Sequence, residues 1–289
     1  MAKNLSPLRY PGGKSVLYPY IKDIVVCNAL HSYTYVELFA GGAGVALALL
    51  LNNNVKSIVI NDFDYCIYSF WYSVLNETDN LCRMINDTPI TIEERLRQRN
   101  IYDNSRDSAI LSVGFATLFL NRTNRSGILS GGVIGGNEQN GNYKIDCRFN
   151  KPELIERIKR IAAQRNKIAL YNLDASVLLQ TQTDVMSKWC FFYLDPPYVV
   201  KGGNLYKNAF DHNEHRQLSQ VVTEKLSRRK WLMTYDKVPL IEELYQRFDM
   251  EPYSLSYVAN EKKQGSELMV FSRSINIPRR DIINNRGGR

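Results

Sequence analysis
The chain has 289 residues, of which 44% are hydrophobic and 23% charged, a composition ordinary for a soluble globular enzyme with one large or two modest domains. Its 37 Lys and Arg against 29 Asp and Glu leave a net charge of +8, a surplus suited to a polyanionic partner. The longest apolar run, Val45 to Leu51, is far too short to span a bilayer.

From the amino end, Leu8-Arg9-Tyr10-Pro11-Gly12-Gly13-Lys14 is a Gly/Pro turn carrying a lysine. Apolar spacing through Val16, Leu17, Tyr20, Ile21, Ile24 and Val25 then predicts a helix. Tyr35 to Phe39 reads as a short strand running into Ala40-Gly41-Gly42-Ala43-Gly44 and a small-residue helix, Val45 to Leu51. Ser57 to Ile60 is the next strand and ends in Asn61-Asp62. Strand, glycine turn, helix, strand and acid form half of a nucleotide-binding βαβ unit. Residues 65 to 122 are mostly helical in pattern, and six glycines between Gly127 and Gly141 follow. The βα pattern resumes at Lys167 to Asn172, with Asp174 beyond it, and continues through Trp189 to Leu194 and Trp231 to Tyr235. Met250 to Val258 and Ser266 to Arg273 read as a hairpin, and a basic, apolar-poor tail follows from about residue 276.

The five cysteines, Cys27, Cys66, Cys82, Cys147 and Cys190, form no Cys-x-x-Cys pair, and His31, His212 and His215 complete no zinc pattern. This predicts a reducing compartment and no structural metal. With no signal-peptide-like apolar region at Met1 to Pro7, the expected location is cytoplasmic.

Two motifs carry chemistry. The turn Phe39 to Gly44 lets backbone approach a ligand closely, and Asp62, eighteen residues after Gly44, stands near the offset at which an acid reaches ribose hydroxyls. Gly-Gly-x-Gly is not the dinucleotide fingerprint, and Gly12-Gly13-Lys14-Ser15 lacks the strand and upstream glycine of a P-loop, so the nucleoside ligand need not be a nicotinamide cofactor or a triphosphate. The second motif is Asp195-Pro196-Pro197-Tyr198 at the end of an apolar strand. A carboxylate and the outward carbonyl of Pro196 can accept both hydrogens of an exocyclic amine, and the ring of Tyr198 can stack on the heterocycle bearing it. That set suits methyl transfer to an amino nitrogen; an ordinary strand-ending turn uses the same residues.

In this order, Tyr10-Pro-Gly-Gly-Lys14, Glu37-Leu-Phe-Ala-Gly-Gly-Ala-Gly44, Ile60-Asn-Asp62, an inserted region and Asp195-Pro-Pro-Tyr198 resemble the Dam-type DNA N6-adenine methyltransferases, a likeness covering the chain to about residue 273. The resemblance implies an α/β, Rossmann-like methyltransferase sheet with helices on both faces, plus an inserted helical subdomain carrying a β-hairpin. It implies a catalytic, cofactor-binding domain of residues 1–62 and 166–275, a target-recognition insertion of 63–165 and a flexible tail of 276–289. The implied cofactor is S-adenosyl-L-methionine, lined by Tyr10, Lys14, Phe39, Gly41, Gly42, Gly44, Asp62, Asp174 and Asp195, with Asp195, Pro196 and Tyr198 catalytic. The implied reaction is methyl transfer to N6 of an adenine flipped out of double-stranded DNA at a specific site, by an enzyme that either guards DNA from a cognate restriction nuclease or acts alone. In the insertion, Arg122, Asn124, Arg125, Lys144 and Arg148 have the residue types that read bases and phosphates, while Lys201, Lys207 and Asn208 stand after the catalytic turn. The glycine-rich stretch to Asn150 is expected to form a hairpin entering a groove, with a mobile surface loop as the alternative. An RNA adenine-N6 methyltransferase, a catalytically silent DNA-binding homologue and, less so, a cytosine-N4 enzyme share these features.

Overall fold
The computed structural model describes residues 5–9, 14–199, 210–254 and 266–278. Seven strands form one sheet: β1 Thr34–Glu37, β2 Ser57–Asn61, β3 Ile168–Tyr171, β4 Cys190–Leu194, β5 Lys230–Asp236, β6 Asp249–Ser254 and β7 Ser266–Phe271. Their order is β3-β2-β1-β4-β5-β7-β6. The first five are parallel, and β7 runs antiparallel between β5 and β6. Parallel strands buried on both faces read as unbroken apolar runs, and Cys190 to Leu194 is buried at every position. This is a Rossmann-like sheet with helices on both faces, its order reversing between β1 and β4.

Alternation sends neighbouring side chains to opposite faces. Tyr35, Ile58, Phe191 and Tyr193 point to one face, which packs on α1 Tyr18–Cys27, α2 Gly44–Leu51, α3 Tyr65–Asn76, α6 Ile110–Thr123 and α7 Lys151–Ala162. Between α3 and α6 the chain forms α4 Thr78–Asp87 and α5 Ile92–Asp103. Val36, Val59, Phe192 and Trp231 point to the other face, under α8 Ala175–Gln182, α9 His212–Lys225 and α10 Pro239–Tyr245. Helix α2 is apolar all round and is buried from Val45 to Leu50, as a core helix must be. Each such leucine contributes about 1.5–3 kcal/mol. Capping also marks the boundaries. Asp64 caps α3, Thr91 caps α5, Asn150 caps α7, and Asp211 with Glu214 forms a capping box on α9.

Helices α3, α6 and α7 share their hydrophobic cluster with β1 and β2. A smaller cluster of Cys66, Tyr102, Val113, Ala116 and Leu120 joins α3, α5 and α6 to one another. Gly114 permits the α3–α6 approach, since a Cβ there would lie 2.6 Å from the carbonyl oxygen of Ser69.

The expected hairpin in the glycine-rich stretch is corrected by the structure. Between Asn124 and Asn150 the described chain holds turns, one 3-10 turn at Arg125–Gly127 and a single bridge, Asn124 to Val133. Side chains take the backbone groups that a ladder would have satisfied. Asn124 Nδ2 donates to the carbonyls of Ile128 and Leu129, and Arg95 donates to Asn124 Oδ1 and to the carbonyl of Gly131. Positive φ at Gly127, Gly135 and Gly136 breaks any extended run.

Residues 5–9 lie against this loop and the helices beside it. Asn121 clasps Arg9 through its N–H and its carbonyl, and Arg157 Nη1 donates to the carbonyl of Ser6. A Cβ on Gly127, at φ +79°, would stand 2.2 Å from the carbonyl oxygen of Arg9. Gly127→Ala therefore strains both its own backbone and the clasp, with an expected loss of about 1–3 kcal/mol in urea unfolding. An unchanged midpoint would show that the two segments part freely. At the other end, Asn276 is tied to Asn28 on the C-terminus of α1.

Candidate active site
The carboxyl ends of β1, β2, β3 and β4 meet on one edge of the sheet. Asn61, fully buried, lashes three of them together: Nδ2 donates to the carbonyls of Leu38 and Leu173, and Oδ1 accepts from Leu173 N–H. Asn172 Nδ2 adds bonds to the carbonyls of Asp62 and Phe63.

The glycine turn is fixed from two sides. Gly41, at φ +47°, donates its N–H to Asp62 Oδ2 at 2.7 Å and accepts from Trp71 Nε1 of α3 at 2.9 Å. Asp62 Oδ1 accepts from Asp64 N–H at 2.9 Å. Burial pushes the Asp62 carboxyl up to about 7, with Asp64 adding to the rise and the two N–H bonds opposing it. Each carboxylate oxygen retains a second lone pair, so the acid holds the turn and can still accept a ligand hydroxyl. Phe63 follows it with 56% of its surface exposed, an unusual placement for a phenylalanine. Asp174 is half-buried and caps α8 through Oδ1, which accepts from Ser176 and Val177. Phe39, also half-buried, packs edge-on against Phe210 at 6.0 Å.

At the head of β4, Asp195 Oδ1 accepts from Thr234 Oγ1 at 2.6 Å and lies 3.5 Å from Lys14 Nζ. Thr234 is 3.0 Å from the Tyr193 hydroxyl, which must be the donor because the Thr234 proton goes to Asp195. Burial raises the Asp195 carboxyl, while Lys14 and the Thr234 hydroxyl pull it down. With the described residues, the contacts of Asp195 fall on Oδ1, so Oδ2 is the oxygen left to a ligand. Pro196 is buried, and Val199 N–H closes the turn onto Asp236 Oδ1 at 3.1 Å.

Lys14 and Tyr198 meet behind this acid. Tyr198 is 7% exposed, its hydroxyl 2.6 Å from Lys14 Nζ and 2.8 Å from Glu267 Oε2. Glu267, on β7, also accepts from the Tyr253 hydroxyl of β6 at 2.7 Å and lies 3.4 Å from Lys14 Nζ. Tyr10, Lys201, Lys207 and Asn208 lie outside the described residues.

A family model described as "D12 class N6 adenine-specific DNA methyltransferase" matches residues 10–259. The chain belongs to that family. It is accordingly an N6-adenine methyltransferase with the S-adenosylmethionine-dependent fold of the group. No curated protein matches it. Among solved structures, the methyltransferase domain of bacterial CtHen1-CN shares 10% identity over 89% of this chain and 98% of its own, with a TM-score of 0.39. The rRNA methyltransferase AviRa from Streptomyces viridochromogenes shares 11% identity over 88% of this chain and 84% of its own, with a TM-score of 0.32.

In this methyltransferase the edge of the sheet gathers Lys14, Phe39, Gly41, Gly42, Gly44, Asp62, Asp174, Asp195 and Tyr198. The residues expected to contact DNA divide. Arg122 is 9% exposed, its Nε and Nη2 donating to the carbonyl of Pro7 and Nη1 to that of Arg148. Burial and the nearby Arg157 and Arg9 lower its guanidinium to about 10. Asn124 is fully buried with both side-chain atoms bonded internally. These two are corrected from contacts to supports of the loop. Arg125, Lys144 and Arg148 are exposed. Lys144 Nζ donates to the carbonyl of Gln139, and Arg148 lies 5.9 Å from the Tyr143 ring. The sequence reading missed Trp71, Asn61, Thr234, Glu267, Tyr253 and the exposed Phe63. Among the described residues, no group of three His, Cys, Asp or Glu could hold a metal ion, and no helix is long and apolar enough to cross a membrane.

Proposed function
We propose that the protein methylates N6 of an adenine within a defined short site in double-stranded DNA, using S-adenosyl-L-methionine and acting on a base flipped out of the helix. The observation carrying this reading is the Asp195 carboxylate, pinned through Oδ1 beside the glycine turn with Oδ2 left for an amine. The family description, the net charge of +8 and the exposed Arg125, Lys144 and Arg148 support DNA as the polyanion.

The residues fit the cofactor. Positive φ at Gly41 opens the backbone, Asp62 keeps lone pairs for ribose hydroxyls, and Phe63 offers an exposed apolar face to a purine. Tyr10, Lys14, Phe39, Gly42, Gly44 and Asp174 complete the proposed set. When bound, the cofactor supplies an electrophilic methyl group on a sulfonium, so the protein's main tasks are orientation and charge.

Adenine N6 is a poor nucleophile because its lone pair is delocalised into the ring. Asp195 Oδ2 and the Pro196 carbonyl accept its two hydrogens and draw the lone pair toward the attacked carbon. Positive charge then develops on N6 beside a fixed anion, and preorganised acceptors stabilise it without reorganising. The surplus N6 proton leaves through Oδ2, the oxygen that no described residue bonds. Lys14 with Asp195 and Glu267 leaves the buried trio one net negative charge, which matches one developing positive charge. Tyr198, anchored by its hydroxyl, walls the slot for the flipped base. Lys201, Lys207 and Asn208 follow the catalytic turn and are proposed to cover that base or meet phosphate. A cytoplasmic location is part of the proposed setting, with the enzyme acting alone or beside a cognate restriction nuclease.

The test is single-molecule modification sequencing of DNA from a methylation-deficient host expressing the chain, beside an Asp195→Ala control. N6-methyladenine at one recurring short sequence, absent from the control, establishes reaction and substrate together. Unmodified DNA with tritiated methyl on total RNA would transfer the same chemistry to RNA. Arg125→Ala is expected to weaken DNA binding by about 1–3 kcal/mol if it reads a base. Wild-type affinity and site preference in that variant would remove the loop from recognition.

A further inference from the structure
We infer that Glu267 is a positioning residue for methyl transfer: from β7 it holds the Tyr198 hydroxyl and draws the Lys14 ammonium away from Asp195. The inference rests on the proposed role of Asp195 and Tyr198. Glu267 is fully buried, yet it belongs to neither the glycine turn nor the Asp195 turn. Its Oε2 takes three groups: the hydroxyls of Tyr198 at 2.8 Å and Tyr253 at 2.7 Å, and Lys14 Nζ at 3.4 Å. A buried carboxylate is retained at such a site only when it is fully paired.

Lys14 explains what the pairing achieves. Its ammonium has three hydrogens and three acceptors: the Tyr198 oxygen at 2.6 Å, Glu267 at 3.4 Å and Asp195 Oδ1 at 3.5 Å. The short bond is to tyrosine, not to either acid. Tyr198 accepts from Lys14 while donating to Glu267, so the three groups form a relay that ends on Glu267. Remove the Glu267 charge and Asp195 becomes the sole carboxylate for Lys14 in this cluster. The ammonium then closes on Asp195 and competes with the amine for its oxygens. Tyr198 exchanges a charged acceptor for a weaker neutral one, and the wall of the base slot is held less firmly. Glu267 touches none of the reacting atoms and acts through these two side chains.

The test compares crystal structures and single-turnover transfer for wild type and Glu267→Gln, with unmethylated genomic DNA and tritiated S-adenosylmethionine, alongside Tyr253→Phe. Glutamine keeps the shape and removes the charge. In its structure Lys14 Nζ is expected to move from 3.5 Å to about 2.8 Å from Asp195 Oδ1, with Tyr198 displaced. Its transfer rate is expected to drop about 100-fold, the scale of an ångström of misplacement. Affinity for S-adenosylhomocysteine and the melting temperature are expected to fall far less than the rate, which separates positioning from a structural role. Tyr253→Phe removes one donor and keeps the charge, so a smaller rate loss is expected with Lys14 and Tyr198 in place; it serves if the glutamine variant folds poorly. Glu267→Gln with Lys14 and Tyr198 unmoved, or with the wild-type rate, would overturn the inference. Equal losses of melting temperature, cofactor affinity and rate would make Glu267 a plain core support and overturn it too. If wild type itself modifies neither DNA nor RNA, the reaction reading fails, while the Lys14 and Tyr198 positions in the variant still decide the anchor.

Discussion

Asp195→Ala is expected to lower single-turnover methyl transfer by at least roughly 10²–10³-fold, the loss seen when one preorganised group facing the transition-state charge is removed. In barrier terms that is about 3–4 kcal/mol. Two features of the site direct the loss to the chemical step. Among the described residues the contacts of Asp195 are to Thr234 and Lys14, both through Oδ1, and the asparagine variant keeps an oxygen for them. The cofactor set built from Gly41, Asp62, Phe63 and Asp174 stands on other strands, so S-adenosylhomocysteine binding should be only partly reduced. Asp195→Asn sharpens the result, because the amide keeps the shape but presents N–H where an acceptor is needed, and it too should be nearly inactive. Isothermal titration and rapid-quench transfer on the same preparations separate binding from chemistry. Undiminished transfer by either variant would remove Asp195 from the mechanism.

Much of this site was legible because its signals are local. Strand Cys190–Leu194 announces itself as an unbroken apolar run, and the turn after it by Asp-Pro-Pro-Tyr. Positive φ at Gly41 is the conformation that glycine spacing advertises. What failed was long-range. Arg122 and Asn124 have the residue types of base readers, but residue type does not reveal burial, and partners at Pro7 and Arg95 cannot be read from spacing. The glycine-rich loop looked like a hairpin because turn residues were counted without asking which side chains would satisfy its carbonyls. One signal was present and passed over. Glu267 is an acid directly before the apolar run Leu268-Met-Val-Phe271 in an otherwise buried strand, and a charge in that position needs a partner. Thr234, a hydroxyl within Trp231 to Tyr235, carried a weaker form of the same signal. Trp71 offered none, since its tie to Gly41 depends on how α3 crosses the sheet.

Stability against unfolding is expected to fall as pH rises from about 5 to 8.5, and Glu37→Gln to remove the upper part of that fall. Glu37 ends β1, is 4% exposed and accepts Ala46 N–H at 3.1 Å. Burial pushes its carboxyl from 4.5 up to about 8, with the Asp195 charge adding to the rise and the Ala46 bond opposing it. Asp62 is raised by the same cause, from 3.8 to about 7. An acid raised on folding keeps its proton in the native state after the unfolded chain has released it. Its stabilisation is therefore complete below the unfolded value and is lost as pH climbs through the folded one, by about 1.4 kcal/mol per unit for each withheld proton. Asp62 is half titrated at pH 7 and Asp195 is raised as well, so the Glu37 share is read as the difference between wild type and variant in urea unfolding at pH 7 and 8.5. Glutamine cannot ionise, and its carbonyl still accepts the Ala46 N–H, so the variant should show a clearly shallower slope there than wild type. An identical slope in both proteins would mean Glu37 is ionised in the fold. The distinction bears on catalysis. A neutral Glu37 adds no second negative charge near Asp195, whereas an ionised one would oppose the ionised form in which Asp195 accepts.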